Sequence, residues 1–104
     1  MYVAVYTTVS TIDEAKKIGY NLVQKKLVAC VNIIPNVQSI YRWKGKIEED
    51  SEVILWCKTH ESLIKDIKLI IQETHPYDLP AFVIYPIHSG SKSYLKWIDD
   101  ETAS

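Results

Sequence analysis

The stretch LVACVNIIPNVQSIYRWKGKIEEDSEVILWCKT, residues 27–59, decides the fold. It opens with a nearly continuous apolar run, which is typical of a strand covered on both faces. Pro35 and Asn36 interrupt this run and predict a bulge or bend, after which strand character resumes. A KGK turn follows, in which Gly45 supplies a positive φ, and residues 52–59 form the returning strand. The sequence therefore predicts one long, bent antiparallel hairpin.

Five segments outside the hairpin show the periodicity of regular secondary structure. In chain order these are a strand over 2–9, a helix over 12–26, a helix over 60–74, a strand over 81–87 and a short helix over 92–98. Thr59 is the expected N-cap of the second helix. Pro76 ends that helix, because the residue before a proline disfavours helical geometry.

The resulting order, β-α-β-β-α-β plus a C-terminal helix, predicts an α+β, ferredoxin-like fold. Right-handed crossovers then place both long helices on one face of a four-stranded antiparallel sheet. The chain has 104 residues, of which 47% are hydrophobic and only three are glycine. That composition is sufficient for a buried core, and we expect a single domain over residues 1–104.

The hairpin is too long and too apolar to be covered by two helices of about fifteen residues, about four turns each. We assign Tyr41, Trp43, Ile47 and Trp56 to the part that overhangs the sheet. An exposed apolar edge of this kind invites pairing with another chain, so the sequence predicts an obligate homo-oligomer closed by strand addition. The alternative is that these three rings form a stacking platform for a ligand.

Charge and hydropathy exclude several classes of partner. The formal net charge of −1 lacks the electrostatic footprint of a nucleic-acid-binding protein. No apolar run approaches the roughly 20 residues that span a bilayer, so we expect no membrane insertion. Cys30 and Cys57 lack the paired spacing of a zinc site. With no signal peptide evident, we expect a cytoplasmic protein with two reduced thiols.

Three blocks of the sequence carry a resemblance to a known family. The hairpin, together with HPYDLPAFVIYPI (75–87) and YLKWI (94–98), resembles CutA, the divalent-cation tolerance family, essentially from end to end. The resemblance implies a tight homotrimer similar to the PII signalling proteins, with the hairpin as the trimerising element. It also implies a non-enzymatic role in the response to divalent metals, with copper binding described for family members.

Three positions depart from the family members that have a proposed copper site. Thr7 and Thr74 stand where those members carry a cysteine and the first of two paired histidines, and Ala81 stands where many carry an acid. His75 is retained. His75 and Asp78 are therefore the candidate ligands for copper or another divalent cation, through an imidazole nitrogen and a carboxylate oxygen. The alternative is that His75 bonds the last-turn carbonyls of the second helix.

Four further residues have both a functional and a structural interpretation. Lys58 and Tyr77 are candidates for a ligand cleft, as PII-like trimers bind nucleotides, although Tyr77 also suits a packing aromatic with a bonded hydroxyl. Cys30 and Cys57 lie on strands predicted to pair, so a copper(I) dithiolate site competes with two small buried hydrophobes.

Catalysis is not indicated by the sequence. The only arginine is Arg42, on the hairpin, and no Gly-rich phosphate loop follows the first strand. No nucleophile, base and orienting group can be assembled from local spacing. The leading hypothesis is a non-enzymatic trimer that binds a metal or small ligand at intersubunit clefts. The alternative is a PII-like signalling or scaffold trimer that binds a small anionic ligand or a protein partner.

Overall fold

The computed structural model describes residues 1–102. Its elements are β1 Tyr2–Val9, α1 Ile12–Gln24, β2 Cys30–Trp43, β3 Lys46–His60, α2 Ile64–Thr74, β4 Val83–Pro86 and α3 Lys92–Glu101. The strands form one sheet in the order β2-β3-β1-β4, and every neighbouring pair is antiparallel. This arrangement confirms the predicted α+β, ferredoxin-like fold with a C-terminal helix.

The core lies between one face of the sheet and the helices α1 and α2. Alternate residues of a strand share a face, so every second side chain of β1 and β3 enters this layer. The apolar faces of the two helices close it from the other side. The most deeply buried members are Val5, Val9, Ala15, Leu22, Val28, Leu55, Cys57, Ile67 and Ile71. No helix among the described residues is both long enough and apolar enough to cross a bilayer.

One polar group in this core has no partner. Thr7 lies in β1 opposite Leu55, is fully buried, and its hydroxyl makes no hydrogen bond within the described part of the chain. Thr59 is buried to the same extent, but its hydroxyl donates to the carbonyl of Leu27 over 2.7 Å. Thr7 and Thr59 are therefore equally buried, but only the Thr59 hydroxyl has a hydrogen-bond partner, so Thr59 is a matched control for Thr7.

We expect Thr7→Val to raise the free energy of unfolding by about 1–2 kcal/mol, because it removes an unsatisfied buried hydroxyl at almost constant volume. The control Thr59→Val should lower it by about 1–3 kcal/mol, since the Leu27 carbonyl then loses its donor. Urea unfolding with equal m-values measures both changes. Stability changes of the same sign in the two variants would contradict this assignment.

The hairpin is formed by β2 and β3, which pair from Cys30 opposite Lys58 to Trp43 opposite Lys46. Their register shifts between Ile34 and Val37, and Asn36 has a φ of 61°. The predicted interruption at Pro35 and Asn36 is therefore confirmed as a bulge. Positive φ at both Lys44 (49°) and Gly45 (80°) indicates a type I′ turn, whose twist matches that of the flanking strands.

The hairpin extends well beyond the rest of the sheet. β1 pairs with β3 only from Val53 to His60, so residues 37–52 have no other strand beside them. We call residues 37–52 the overhang. Each arm reaches about 23 Å at about 3.3 Å per residue. This projection accounts for the 44 Å long axis of the molecule, against 26 and 22 Å in the other two directions.

The structure corrects the placement of one predicted overhang residue. Trp56 lies opposite Tyr6 of β1 and Asn32 of β2, within the four-stranded part of the sheet. The assignment to the overhang is therefore wrong for Trp56 and right for Tyr41 and Trp43. The error arose because sequence periodicity does not reveal how far β1 extends along β3.

The ends of several elements also differ from expectation. Thr59 does not cap the second helix: β3 continues to His60, whose ring accepts the amide of Ser62, and a 3-10 turn precedes α2. β4 is shorter than residues 81–87, and α3 runs on to Glu101. His75 has an extended backbone immediately after α2, as expected before Pro76.

Candidate functional site

The HPYDLP segment, residues 75–80, connects α2 to the edge of the sheet, and His75 fixes its start. The Nε2 of His75 lies 2.7 Å from the carbonyl oxygen of Thr8, and its Nδ1 accepts the amide N–H of Tyr77 over 3.1 Å. This pattern corresponds to the neutral tautomer with the proton on Nε2. His75 therefore ties the loop to the end of β1, rather than to the last-turn carbonyls of α2.

Tyr77 extends this network towards the overhang. Its ring packs edge-on against the His75 ring, with 4.7 Å between the ring centroids. Its hydroxyl donates to the Glu52 carboxylate over 3.2 Å. The Ser10 hydroxyl lies 2.8 Å from the same oxygen. Burial, with a contribution from the charge of Glu52, raises the pKa of Tyr77. The phenol thus stays protonated and acts as a hydrogen-bond donor.

The predicted metal ligands are placed as follows. Both ring nitrogens of His75 are already hydrogen-bonded, so a metal ion must displace one of those bonds to gain a lone pair. Asp78 is exposed, three positions further on. Within residues 1–102, no group of three or more His, Cys, Asp or Glu side chains converges on a point that could hold a metal ion. Metal binding by His75 and Asp78 stays a prediction.

An open cavity of about 840 Å³ lies between the overhang and the loop that follows His75. One wall comes from Tyr41, Trp43 and their neighbours on β2 and β3, and the other from residues 77–81. The structure therefore brings two predicted sets together: the overhang aromatics and the HPYDLP loop. Trp56, Lys58 and His75 do not line this cavity. We call it the hairpin cavity.

Three carboxylates line the hairpin cavity, and sequence reasoning missed two of them. Asp50 and Glu52 come from β3 and Asp78 from the loop, and Arg42 is the one basic residue among the lining residues. The signal was present in the sequence. Acids at positions 50 and 52 alternate in a strand and therefore share a face.

Tyr41 and Asp50 form a fixed pair inside this cavity. The Tyr41 hydroxyl donates to the Asp50 carboxylate. That hydrogen bond, supplemented by desolvation and by the negative charge of Asp50, raises the pKa of Tyr41 to about 12. At neutral pH the phenol is therefore a donor that orients the Asp50 carboxylate.

The sheet face that α1 and α2 do not cover carries the other predicted residues. Trp56 contacts Tyr6 at 6.3 Å and Tyr85 at 5.2 Å between ring centroids. Lys58 donates to the Asn32 side chain over 2.8 Å, and its ammonium lies 5.6 Å from the ring of Tyr94 on α3. We call the rings of Tyr6, Trp56 and Tyr85 the aromatic cluster. Within one chain Lys58 and Tyr77 thus lie in two separate regions, and a ligand cleft between subunits that includes both stays a prediction.

The two cysteines do not form a common site. Cys57 lies opposite Val31, whereas Cys30 lies opposite Lys58, so the two thiols point to opposite faces of the sheet. Burial, with a smaller effect from Cys30, raises the pKa of Cys57 to about 12. Because the thiolate is the form that binds metals, Cys57 is a core residue at neutral pH. Cys30 is half-buried, with its sulfur 3.7 Å from the Tyr94 hydroxyl.

Comparison with known proteins places the chain in a family. The family model for the CutA1 divalent ion tolerance protein matches residues 3–101. Protein CutA, chloroplastic, from Arabidopsis thaliana is 41% identical over 96% of this chain, and the match covers 55% of that protein. The divalent-cation tolerance protein CutA of Thermus thermophilus is 40% identical, over 94% of this chain and 95% of that protein. The chain therefore spans little more than half the length of its plant relative.

Solved structures agree with the sequence matches. The divalent cation tolerance protein Cut A1 from Thermus thermophilus superposes with a TM-score of 0.96 at 39% identity, covering 99% of this chain and all of that one. The periplasmic divalent cation tolerance protein CutA from Archaeoglobus fulgidus superposes with a TM-score of 0.94 at 36% identity, covering 97% and 98%.

These names correct the predicted location. Relatives from Arabidopsis and rice are named chloroplastic, and the Archaeoglobus structure is described as periplasmic. The prediction that the protein is cytoplasmic is therefore wrong. Proteins with this fold and sequence pattern are named for other compartments, so the pattern does not indicate a location. The extended family match, together with structural agreement along almost the whole chain, shows that this chain belongs to the CutA1 divalent ion tolerance protein family.

Proposed function

We propose that this protein acts in divalent-cation tolerance as a non-enzymatic homotrimer, whose intersubunit clefts bind a metal ion or a small ligand. The observation that carries the proposal is the apolar overhang. Ile40 and Ile47 are each 70% exposed in the isolated chain, and Tyr41 and Trp43 are exposed as well. A two-stranded ribbon with large apolar side chains on both faces is marginal alone, and burial against other subunits stabilises it.

The aromatic cluster supports the same assembly. It lies on the sheet face that α1 and α2 do not cover, with Ile34 and Val83 exposed beside it. β2 and β4 are the outer strands of the sheet, so each has an unpaired backbone edge. We propose Tyr41, Trp43 and Trp56 as interface residues: the first two through the overhang and Trp56 through this second face.

A non-enzymatic role agrees with the chemistry of the hairpin cavity. The raised pKa values of Tyr41 and Tyr77 keep both phenols protonated, so they act as donors to carboxylates rather than as nucleophiles. Each is already engaged with an acid, Asp50 or Glu52. Such an arrangement suits binding and orientation of a ligand more than bond making.

The metal part of the proposal is tested by titrating Cu²⁺ into wild type, His75→Ala and the control His88→Ala. His88 is exposed and lies in the loop after β4. If His75 is a ligand, its removal should weaken copper binding by at least about tenfold, because even outer-shell changes cost about 10–100-fold. The His88 variant should bind as wild type does. Equal copper affinity in all three proteins would exclude His75 as a ligand.

A further inference from the structure

We infer that the outer face of α1, with the turn that follows it, docks a short acidic segment of a partner protein that carries an apolar side chain among its acids. The inference goes beyond the proposed function and concerns a face that the proposed subunit interfaces leave free. It is carried by the position of this face, its charge and the exposed tyrosine at its centre. We call the following set the basic face: Lys16, Lys17, Tyr20, Val23, Lys25 and Lys26.

The basic face lies on the outside of the helical layer. Ala15, Ile18 and Leu22 turn the other side of α1 into the core, whereas every residue of the basic face is exposed. The proposed assembly uses the overhang and the sheet face that α1 and α2 do not cover, so its interfaces lie elsewhere. The basic face is therefore expected to stay accessible in the trimer.

The charge of the basic face differs from that of the whole chain. Residues 15–26 hold four of the 12 basic residues and none of the 13 acids, although the net charge of the chain is −1. The two acids of α1, Asp13 and Glu14, are confined to its first turn. In α2, by contrast, Lys65 and Lys68 are balanced by two acids. Positive charge is therefore concentrated on one helix, and it selects an acidic partner.

The four lysines of the basic face make no salt bridge within residues 1–102. Lys25 and Lys26 lie at the C-terminal end of α1, where a cation is stabilised by the helix dipole. Lys16 and Lys17 lie in the first half of the helix, where the dipole gives a cation no such stabilisation. The ammonium groups of Lys16 and Lys17 are therefore available to carboxylates of a partner.

Tyr20 is the apolar centre of the basic face, with a side chain that is 69% exposed. It follows Lys16 and Lys17 at the helical spacings that place side chains next to one another. Val23, one turn further on, is 42% exposed. Tyrosine is enriched among the residues that dominate the energy of protein interfaces, and it offers a large contact area at low entropic cost. A partner should therefore place an apolar side chain on this ring and its acids on the lysines.

The dimensions of the basic face indicate a short segment. A helix of 13 residues is about 20 Å long, a length that about six extended residues span. A nucleic acid or an anionic bilayer would reach beyond this face and meet the acids that outnumber the basic residues in the rest of the chain. A compact acidic segment of a protein avoids that repulsion.

The test is the fluorescence anisotropy of the labelled peptide EELEEFEEL titrated with the purified full chain, with KKLKKFKKL as the peptide of opposite charge. The acidic peptide should bind, more weakly at high salt, and the basic peptide should not. Lys16→Glu combined with Lys17→Glu should lower the affinity at least about tenfold, equivalent to about 1.4 kcal/mol. Tyr20→Ala, which changes no charge, should lower it by a similar factor.

The matched control is Lys65→Glu combined with Lys68→Glu, which makes the same change of charge at exposed positions of α2. At physiological salt it should alter the affinity by no more than about twofold. Equal losses in the two double variants overturn the inference, as does binding to phosphatidylserine vesicles without binding to the acidic peptide. Light scattering separates this result from the proposed function. A trimer that does not bind the peptide overturns this inference alone, and a monomer that binds it overturns the proposed assembly alone.

Discussion

Ile40→Lys combined with Ile47→Lys is expected to convert the proposed trimer into single chains of 12.0 kDa. Both isoleucines lie in the overhang and are 70% exposed before assembly. Burying one isoleucine fully is worth about 1.5–3 kcal/mol, and a lysine at the same position would bring an unpaired charge into an apolar contact. This loss of association free energy is repeated at the three equivalent interfaces of the proposed trimer, so the subunits should dissociate.

Light scattering at micromolar concentration measures the effect. The matched control is Tyr20→Lys on α1, because Tyr20 is 69% exposed but lies on the helical side of the molecule. It should leave the mass unchanged. An overhang variant that retains the wild-type mass would show that these isoleucines stay in solvent and that the overhang does not assemble the protein.

Trp56→Ala should have the second large effect, lowering the free energy of unfolding by about 3–5 kcal/mol. Trp56 is only half-buried in the single chain, but its ring packs against Tyr6 and Tyr85. Covering the aromatic cluster by other subunits would complete its burial. Truncation would then remove contacts both within the chain and between chains.

Guanidinium unfolding at two protein concentrations distinguishes these contributions, since the stability of an oligomer depends on protomer concentration. Wild type should show a concentration-dependent midpoint, and Trp56→Ala should reduce this dependence. Tyr20→Ala, an exposed aromatic truncation, should shift stability by no more than about 0.5 kcal/mol. A loss near 1 kcal/mol for Trp56, without concentration dependence, would indicate that the aromatic cluster faces solvent.

Local patterns predicted the hairpin well. The bulge at Pro35 and Asn36 and the turn at Gly45 follow from backbone preferences of single residues, which act wherever the chain places them. The position of Trp56 did not follow, because it depends on where Val9 meets Val53 across two strands. That register is a long-range property, which periodicity within one strand does not contain.

The candidate site shows the same division. Pro76 correctly predicted the end of α2, but the partner of His75 proved to be the Thr8 carbonyl, far away in sequence. The meeting of Tyr77 with Glu52 also joins a loop to a distant strand. Each of these contacts spans separate elements, so their chemistry became visible only once the sheet order brought the elements together.

The bulge at Asn36 decides which side chains the acids of the overhang meet. Successive residues of a strand point to opposite faces, so one extra residue exchanges the two faces from that point onward. Through this exchange Tyr41 lies opposite Glu48 and shares a face with Asp50. In an unbroken register Ile40 and Arg42 would take the places of the two aromatic rings. The chemistry of the hairpin cavity is therefore encoded by the number of residues before the overhang as much as by their identity, since regular pairing of the same residues would replace its aromatic wall without altering a single side chain in it.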